Sequence, residues 1–357
     1  MTLPILLVAA LTIAAHDVHV THDGDAGEGS LRRAITLANE DCEGLRVPCR
    51  IVFDEAMTVR PLTPLPDIWS YDVAIDGAGR VVLDGSLVGG GSGLEFTGSG
   101  ALTQIRGLTI RRFPWDGIHI DRHNLDPIVI EDCTIEENGS RGVTTESSSA
   151  MTVRRSVLRA NGRSGVFALG PYALIEDNTI TDNGASGVFV TGVGSRVARN
   201  RIGGNAHFGI AVTRSLAKFE LTENAISGNG ISAIDRGLDG PDGDRYDDYD
   251  TFAAYIPPPR VTSAFYDEAT ATTTIRGTYF DERDHWGTWS IELFATADRQ
   301  ADTFLGPTTA SDGVFTLVVP RDLRGQFITA TGARRLFLGL SGDYWWTSEV
   351  GEPVAVR

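Results

Sequence analysis

Between Thr103 and Asp235 one short apolar–polar pattern returns six times. Its anchor is an apolar residue at Ile110, Ile135, Leu158, Ile180, Ile202 and Ile226, with successive spacings of 25, 23, 22, 22 and 24 residues. A fixed period of this size marks a solenoid. Five residues before each anchor stands a second apolar position (Ile105, Ile130, Val153, Ile175, Val197, Leu221), and eight after it a third (Ile118, Val143, Val166, Val188, Ile210, Ile234). Each repeat is therefore predicted to supply three short strands. Turn residues fall between them in register: Asn138-Gly139, Asn161-Gly162 and Asn183-Gly184, then Gly117, Gly142, Gly165, Gly187 and Gly209. Short alternating strands bounded by Asn and Gly read as coils of a parallel β-helix. Helical repeats would need longer segments with a 3.6-residue apolar period, and none is present.

The flanks follow other rhythms. Leu3 to Ala15 is an apolar run ending in small residues, which predicts a signal peptide over 1–15, although no Lys or Arg precedes it. A buried first strand is the other reading of that run. Residues 16–60 hold an alternating strand near Asp17–Thr21 and a helix from Leu31 to Asn39, with Ser30 as its cap and Leu31, Ala34, Ile35 and Ala38 on one face. Such a helix would cover the open end of the first coil. The β-helix proper is assigned to 61–235 and an acidic, Pro-rich linker to 236–259. Over 260–357, segments such as Val261–Tyr266, Thr272–Tyr279, Trp289–Ala295, Val314–Val319 and Phe327–Thr331 alternate at strand length, predicting an immunoglobulin-like β-sandwich. The expected fold class is thus all-β: a right-handed parallel β-helix with an N-terminal capping helix, followed by a C-terminal sandwich.

The segment Gly29-Ser30-Leu31-Arg32-Arg33-Ala34-Ile35, then Ala38-Asn39 and Ile51-Val52-Phe53-Asp54, resembles the N-terminal signature of secreted or surface-attached right-handed parallel β-helix proteins of bacteria. In that family the motif is often Cys-Ser-Leu-Arg with an acidic residue next; here Gly29 and Arg33 hold those places. Pro259 to Ala264, Ile291 to Ala295 and Gly325 to Thr331 resemble the sandwich that follows the helix in the same family. The resemblance implies export and speaks little to chemistry. Right-handed β-helices include pectate lyases and polygalacturonases, which points by analogy of fold to carbohydrate. The ordered polygalacturonase motifs are absent, so no catalytic residue is carried over.

A net charge of −16 disfavours nucleic acid and anionic membranes, and suits basic partners, calcium or neutral polymers. No membrane span is expected. Cys42 and Cys49 lie close enough in sequence to pair, and Cys133 reads as a small buried side chain. Two asparagine series, one ending Asn178, Asn200, Asn224 and the other running Asn138, Asn161, Asn183, Asn205, Asn229, predict hydrogen-bonded ladders between coils. Charges before the anchor alternate in sign from coil to coil, as in Glu131 with Arg154 and Asp132 with Arg155, and are expected to pair across strands.

Chemistry is then left to the outward positions of the third strand. Nine after the anchor come His119, Thr144, Phe167, Phe189 and Ala211, and eleven after come Asp121, Glu146, Leu169, Thr191 and Thr213. The candidate catalytic set is His119, Asp121, Arg122 and Glu146, a base, acids and a cation for proton transfer. Trp115, His123, Phe167 and Phe189 are the candidate substrate contacts, with the two phenylalanines stacked and exposed as a sugar platform. The alternatives are that the phenylalanines lie beneath a loop or the second domain, and that His119 is a surface histidine bonded to Asp121. In the linker, Asp239, Asp242, Asp244 and Asp248 are candidate calcium ligands, or else a solvated acidic stretch. The leading expectation is an exported protein that presents an extended face to an extracellular polysaccharide or surface polymer; a polysaccharide lyase or glycosidase, and a structural spacer, are the alternatives.

Overall fold

The structure, a computed structural model, describes residues 16–45, 48–70, 72–97, 103–121, 128–146, 150–212, 219–236, 258–279, 289–297, 300–337, 343–348 and 350–357. The apolar run over 1–15 and most of the acidic linker lie outside the described residues. A parallel β-helix occupies the first two thirds of the chain and antiparallel sheets the last third.

In the regular part each coil has three strands, for example Ile128–Glu131, Thr134–Glu136 and Val143–Glu146. Equivalent strands of successive coils pair in parallel, so that Ile135, Leu158 and Ile180 sit directly over one another. All six anchors, and the apolar positions five before and eight after them, are buried in one continuous core. Burying such a side chain is worth about 1.5–3 kcal/mol, so a stack of like residues in like positions supplies most of the driving force. Among the described residues, the first two faces form one 15-stranded sheet because Val73–Asp84 and Thr103–Arg111 run through the corner unbroken; the third face is a sheet of seven strands. His16–Val20 and Cys49–Phe53 already pair within the larger sheet, so parallel stacking begins in the stretch the sequence sets aside as a cap.

Both asparagine ladders form. Asn183 Nδ2 donates to Asn205 Oδ1 at 2.9 Å and to the Leu158 carbonyl at 3.1 Å, while Asn183 Oδ1 accepts from the backbone and side-chain amides of Asn161. The second ladder runs from Ser156 through Asn178 and Asn200 to Asn224. The Asn-Gly pairs have a different basis from the one the sequence suggests. Gly162 and Gly184 are not in the left-handed region; a Cβ on either would meet the carbonyl oxygen of the glycine one coil earlier at 2.3 and 2.4 Å. Close stacking, not turn geometry, excludes a side chain there. The outward charges pair as expected, with Arg154 on Glu131 at 2.7 Å and Arg155 on Asp132 at 2.9 Å.

At the N-terminal end a helix spans Leu31–Leu45 and buries Leu31, Ala34, Ile35 and Ala38 on the first coils. Ser30 Oγ accepts the Arg33 amide, the bond of an N-cap. The helix outruns its expected end at Asn39, whose side chain is instead fixed to the backbone at Asp67 and Trp69. Cys49 is disulfide-bonded, and Cys133 is free and buried; the side chain of Cys42 lies outside the described set.

The C-terminal sheets have three and five strands and share a core that includes Val261, Ile275, Ile291, Leu293 and Ala330. They close the other end of the β-helix. Ala301 and Ile226 exchange backbone hydrogen bonds of 2.7 and 2.8 Å. Gln300 completes the asparagine ladder, its Oε1 accepting both amides of Asn229 and its Nε2 donating to the Asn229 carbonyl. Buried Glu292 accepts from the Thr222 hydroxyl and from the Glu223 amide, the latter at 2.8 Å. Phe294 and Ala301 join the core of the β-helix itself.

Candidate functional site

The third face carries the column of interest. Its strands pair so that Glu95, His119, Thr144, Phe167, Phe189, Ala211 and Asp235 stand side by side in successive coils. Neighbouring strands lie about 4.8 Å apart, which sets the spacing of the column. Alternation turns these side chains away from the core, yet the column is not uniformly open. Thr144, Ala211 and Asp235 are wholly buried, whereas Glu95, His119, Phe167 and Phe189 are half-buried.

The two phenylalanines do stack, with centroids 4.7 Å apart and planes 14° from parallel. The Arg141 guanidinium lies 3.8 Å from the Phe167 centroid, and with Phe189 on one face it must occupy the other. Phe167 therefore offers an edge and no open face. The expected exposed platform is corrected to a half-buried stack capped by a cation, because rings at one-strand spacing pack on each other before they pack on anything else.

His119 has a different partner from the expected one. Its Nδ1–H donates to Asp116 Oδ2 at 3.1 Å, and Asp116 Oδ1 accepts the Arg141 backbone amide at 2.9 Å. Residues two apart on a strand share a face but stand roughly 6.6 Å apart along it, whereas Asp116 in the preceding turn folds back onto the ring. Burial alone would raise the Asp116 carboxyl; the bonds from His119 and Arg141, with Ser140 close by, outweigh it and hold the group at about 2. The Thr144 hydroxyl is near enough to favour the charged carboxylate but makes no hydrogen bond of normal geometry. The Asp116 bond in turn raises the His119 imidazole above its ordinary value, against burial and with help from Glu95 and Glu146. Glu95 is also pushed up, chiefly by burial and then by Asp67, with His119 opposing. Desolvation lowers the Arg141 guanidinium.

The fold thus brings together His119, Asp121 and Glu146 of the expected set; Asp121 and Glu146 are register partners on adjacent strands. Trp115 stands in the turn beside Asp116 and is 59% exposed. Arg122 and His123 lie outside the described residues, as do Asp239, Asp242, Asp244 and Asp248. Among the described residues no group of three or more metal-ligating side chains is close enough to hold an ion. Sequence reasoning missed Asp116, Arg141 and Glu95. The signal for the first two lies six after the anchor, where Asp116 and Arg141 head a column that continues Ser164, Ser186, Phe208, Ser232. What results is an ionised buried carboxylate, an imidazole bonded to it and raised by that bond, a carboxyl raised by burial, and a guanidinium over an aromatic face.

No curated protein matches the chain. Among solved structures, the A-module of a mannuronan C-5 epimerase from Azotobacter vinelandii aligns over 63% of this chain and 96% of its own, at 16% identity and TM-score 0.31. A tailspike of Acinetobacter baumannii bacteriophage Fri1, described as a capsular polysaccharide depolymerase, aligns over 84% of this chain and 64% of its own, at 9% identity and TM-score 0.25. Tailspike protein 2 of Escherichia coli O157:H7 bacteriophage CAB120 aligns over 85% and 62% respectively, at 11% identity and TM-score 0.23. This chain spans a little under two thirds of each tailspike, 64% and 62%. No helix among the described residues is long and apolar enough to cross a membrane. Residues 92–238, the stretch that carries the Asp116–His119 pair and the aromatic stack, match the family model described as right handed beta helix region, and the solenoid is a right-handed parallel β-helix.

Proposed function

We propose that the protein binds a neutral or amine-bearing polysaccharide along the outward face of the seven-stranded sheet, centred on Asp116, His119 and Arg141. One observation carries the reading. Buried Asp116 anchors both His119 and the Arg141 backbone, so fixed hydrogen-bonding groups line a half-open face at one-strand intervals. Groups held in this way recognise hydroxyls without a large ordering cost. The charge of the face narrows the polymer. Glu95, Asp116, Asp121 and Glu146 outnumber His119 and Arg141, on a chain of net charge −16, which disfavours polyuronates and sulfated glycans. Retention of the protein on immobilised polysaccharides tests this: neutral or amine-bearing polymers should retain it, His119→Ala should weaken retention, and equal retention on a polyuronate would sink the reading.

A second reading is hydrolysis or elimination at the same place. It is favoured by two carboxyls whose surroundings drive them apart, Asp116 to about 2 and Glu95 upward, a pattern that separates an ionised group from a proton donor. New reducing or unsaturated ends released by the wild type but not by Glu95→Gln support it; their absence across the panel leaves binding alone.

Export belongs to the same proposal, on the strength of the apolar run Leu3 to Ala15 and the resemblance of the Ser30-Leu31-Arg32 segment to surface proteins. N-terminal sequencing of the mature protein should begin near residue 16. The C-terminal sheets, read as a sandwich, then serve as the closing module of the β-helix.

A further inference from the structure

The face does not end at Glu95. Ile68 forms a parallel bridge with Phe96, and its amide donates to the Glu95 carbonyl at 2.8 Å, which puts Asp67 next to Glu95 in the column. Asp67 borders an open pocket of about 410 Å³ between the capping helix and the segment 66–69, lined by Thr36, Asn39, Glu40, Pro66, Asp67 and Trp69.

Two of the polar groups in this cavity are already committed. Asn39 donates to the Asp67 carbonyl at 2.7 Å and accepts from the Trp69 amide at 3.1 Å, and Thr36 donates to the Arg32 carbonyl at 3.0 Å. Three groups remain for a ligand: the Trp69 indole, whose residue is 46% exposed, and the carboxylates of Glu40 and Asp67. Neither carboxylate takes a hydrogen bond from the described residues. Among the described residues the one cation paired with either is Arg33, 3.7 Å from Glu40 and bonded more closely to Glu28 at 3.2 Å. An exposed aromatic ring, one acid with no ion pair among the described residues, a second held only by a shared Arg33 and a space of this size suit a ring-shaped ligand with a positive charge. A neutral sugar would gain no charge-assisted contact from these carboxylates, and an acidic one would be repelled by them.

We infer that this cavity is a binding subsite for an amine-bearing sugar, with its ammonium group between Glu40 and Asp67 and its apolar face against Trp69. The inference rests on the glycan-binding reading and places one end of the bound chain on the N-terminal cap. Asn39 is the positioning residue, since it fixes the loop that carries both Asp67 and Trp69.

Calorimetric titration of the full chain with the β-1,4-linked trimers of glucosamine, N-acetylglucosamine and glucose tests it, because the three differ at C2, where only glucosamine carries a charge. The glucosamine trimer should bind about tenfold tighter than the other two, the gain expected of a charge-assisted contact. Trp69→Ala and Asp67→Asn should each remove that preference while leaving the melting temperature in place, Trp69 being an exposed side chain. Equal binding of the three trimers, or no binding of the glucosamine trimer at millimolar concentration, overturns the subsite. A lysine-rich peptide that competes as strongly as the glucosamine trimer overturns the sugar assignment. Failure here is distinct from failure of the main face: polymer retention lost with His119→Ala but unchanged by Trp69→Ala refutes the subsite alone.

Discussion

Replacing Asp116 by asparagine keeps the size of the side chain and removes the charge that organises the site. In the folded protein the carboxyl titrates at about 2 against an ordinary 3.8, a gap of roughly 2–3 kcal/mol in favour of the ionised form. That sum is shared. Coupling between two titrating groups is reciprocal, and the His119 bond is the largest of the contacts that lower the carboxyl, ahead of the Arg141 amide. The signs differ for the two partners. A lowered carboxyl contributes stability that is present above 3.8 and lost as pH falls through about 2. A raised imidazole contributes stability that is present below 6.5 and lost as pH rises through its folded value. The wild type should therefore exceed Asp116→Asn most between pH 3.8 and 6.5, with the advantage shrinking above that window. Urea unfolding of both proteins from acid to alkaline pH measures it, and proton NMR of the His119 ring gives its titration directly. In the variant His119 should titrate lower than in the wild type, since burial now acts with less opposition. A His119 titration that stays put, or a stability difference that is flat across neutral pH, would refute the ion pair as the organising contact.

Three further outcomes are expected. Asn183→Ala removes a link in a buried ladder and leaves amides and carbonyls of two neighbouring coils unpaired, which should cost about 3 kcal/mol or more by urea unfolding. A cost below about 1 kcal/mol would mean that water replaces the link. Phe167→Ala should destabilise by about 1–3 kcal/mol, since a half-buried ring and its stack on Phe189 are both lost, and should free Arg141; an unchanged melting temperature would return the ring to the role of an exposed platform. Glu292 is raised by burial, so its contribution is present below 4.5 and lost as pH rises through its folded value. Glu292→Gln should accordingly raise the melting temperature near pH 7 and leave it nearly unchanged near pH 4, as scanning calorimetry at both pH values would show.

Much of the fold is legible because a solenoid repeats its instructions. Ile135, Leu158 and Ile180 announce the stack by spacing alone, and Asn161, Asn183 and Asn205 occupy a position where only a side chain with both donor and acceptor can link coils. The helix end at Leu45 is not legible, since Glu40 and Asp41 break the apolar periodicity beyond Asn39. The site is half legible. His119 and Phe167 stand out by type within one column, but Asp116 and Arg141 act through turns, where a bond depends on how the chain folds back and not on strand alternation. Glu95 belongs to a coil with irregular spacing, so its place beside His119 emerges only from the register of the strands.

The Gln300 cap recognises the ladder rather than any one coil. Its side chain meets Asn229 much as Asn205 meets Asn183, and Ala301 pairs with Ile226 through the backbone alone. A coil inserted or deleted between Val153 and Ile226 would leave both ends with the partners they have now. The length of the protein is thus adjustable in steps of 22 residues, the spacing of Leu158, Ile180 and Ile202. Each step would change the reach of the outward face by about 4.8 Å. Gene duplication within this stretch offers a route to polymers of different length without redesign of either terminus.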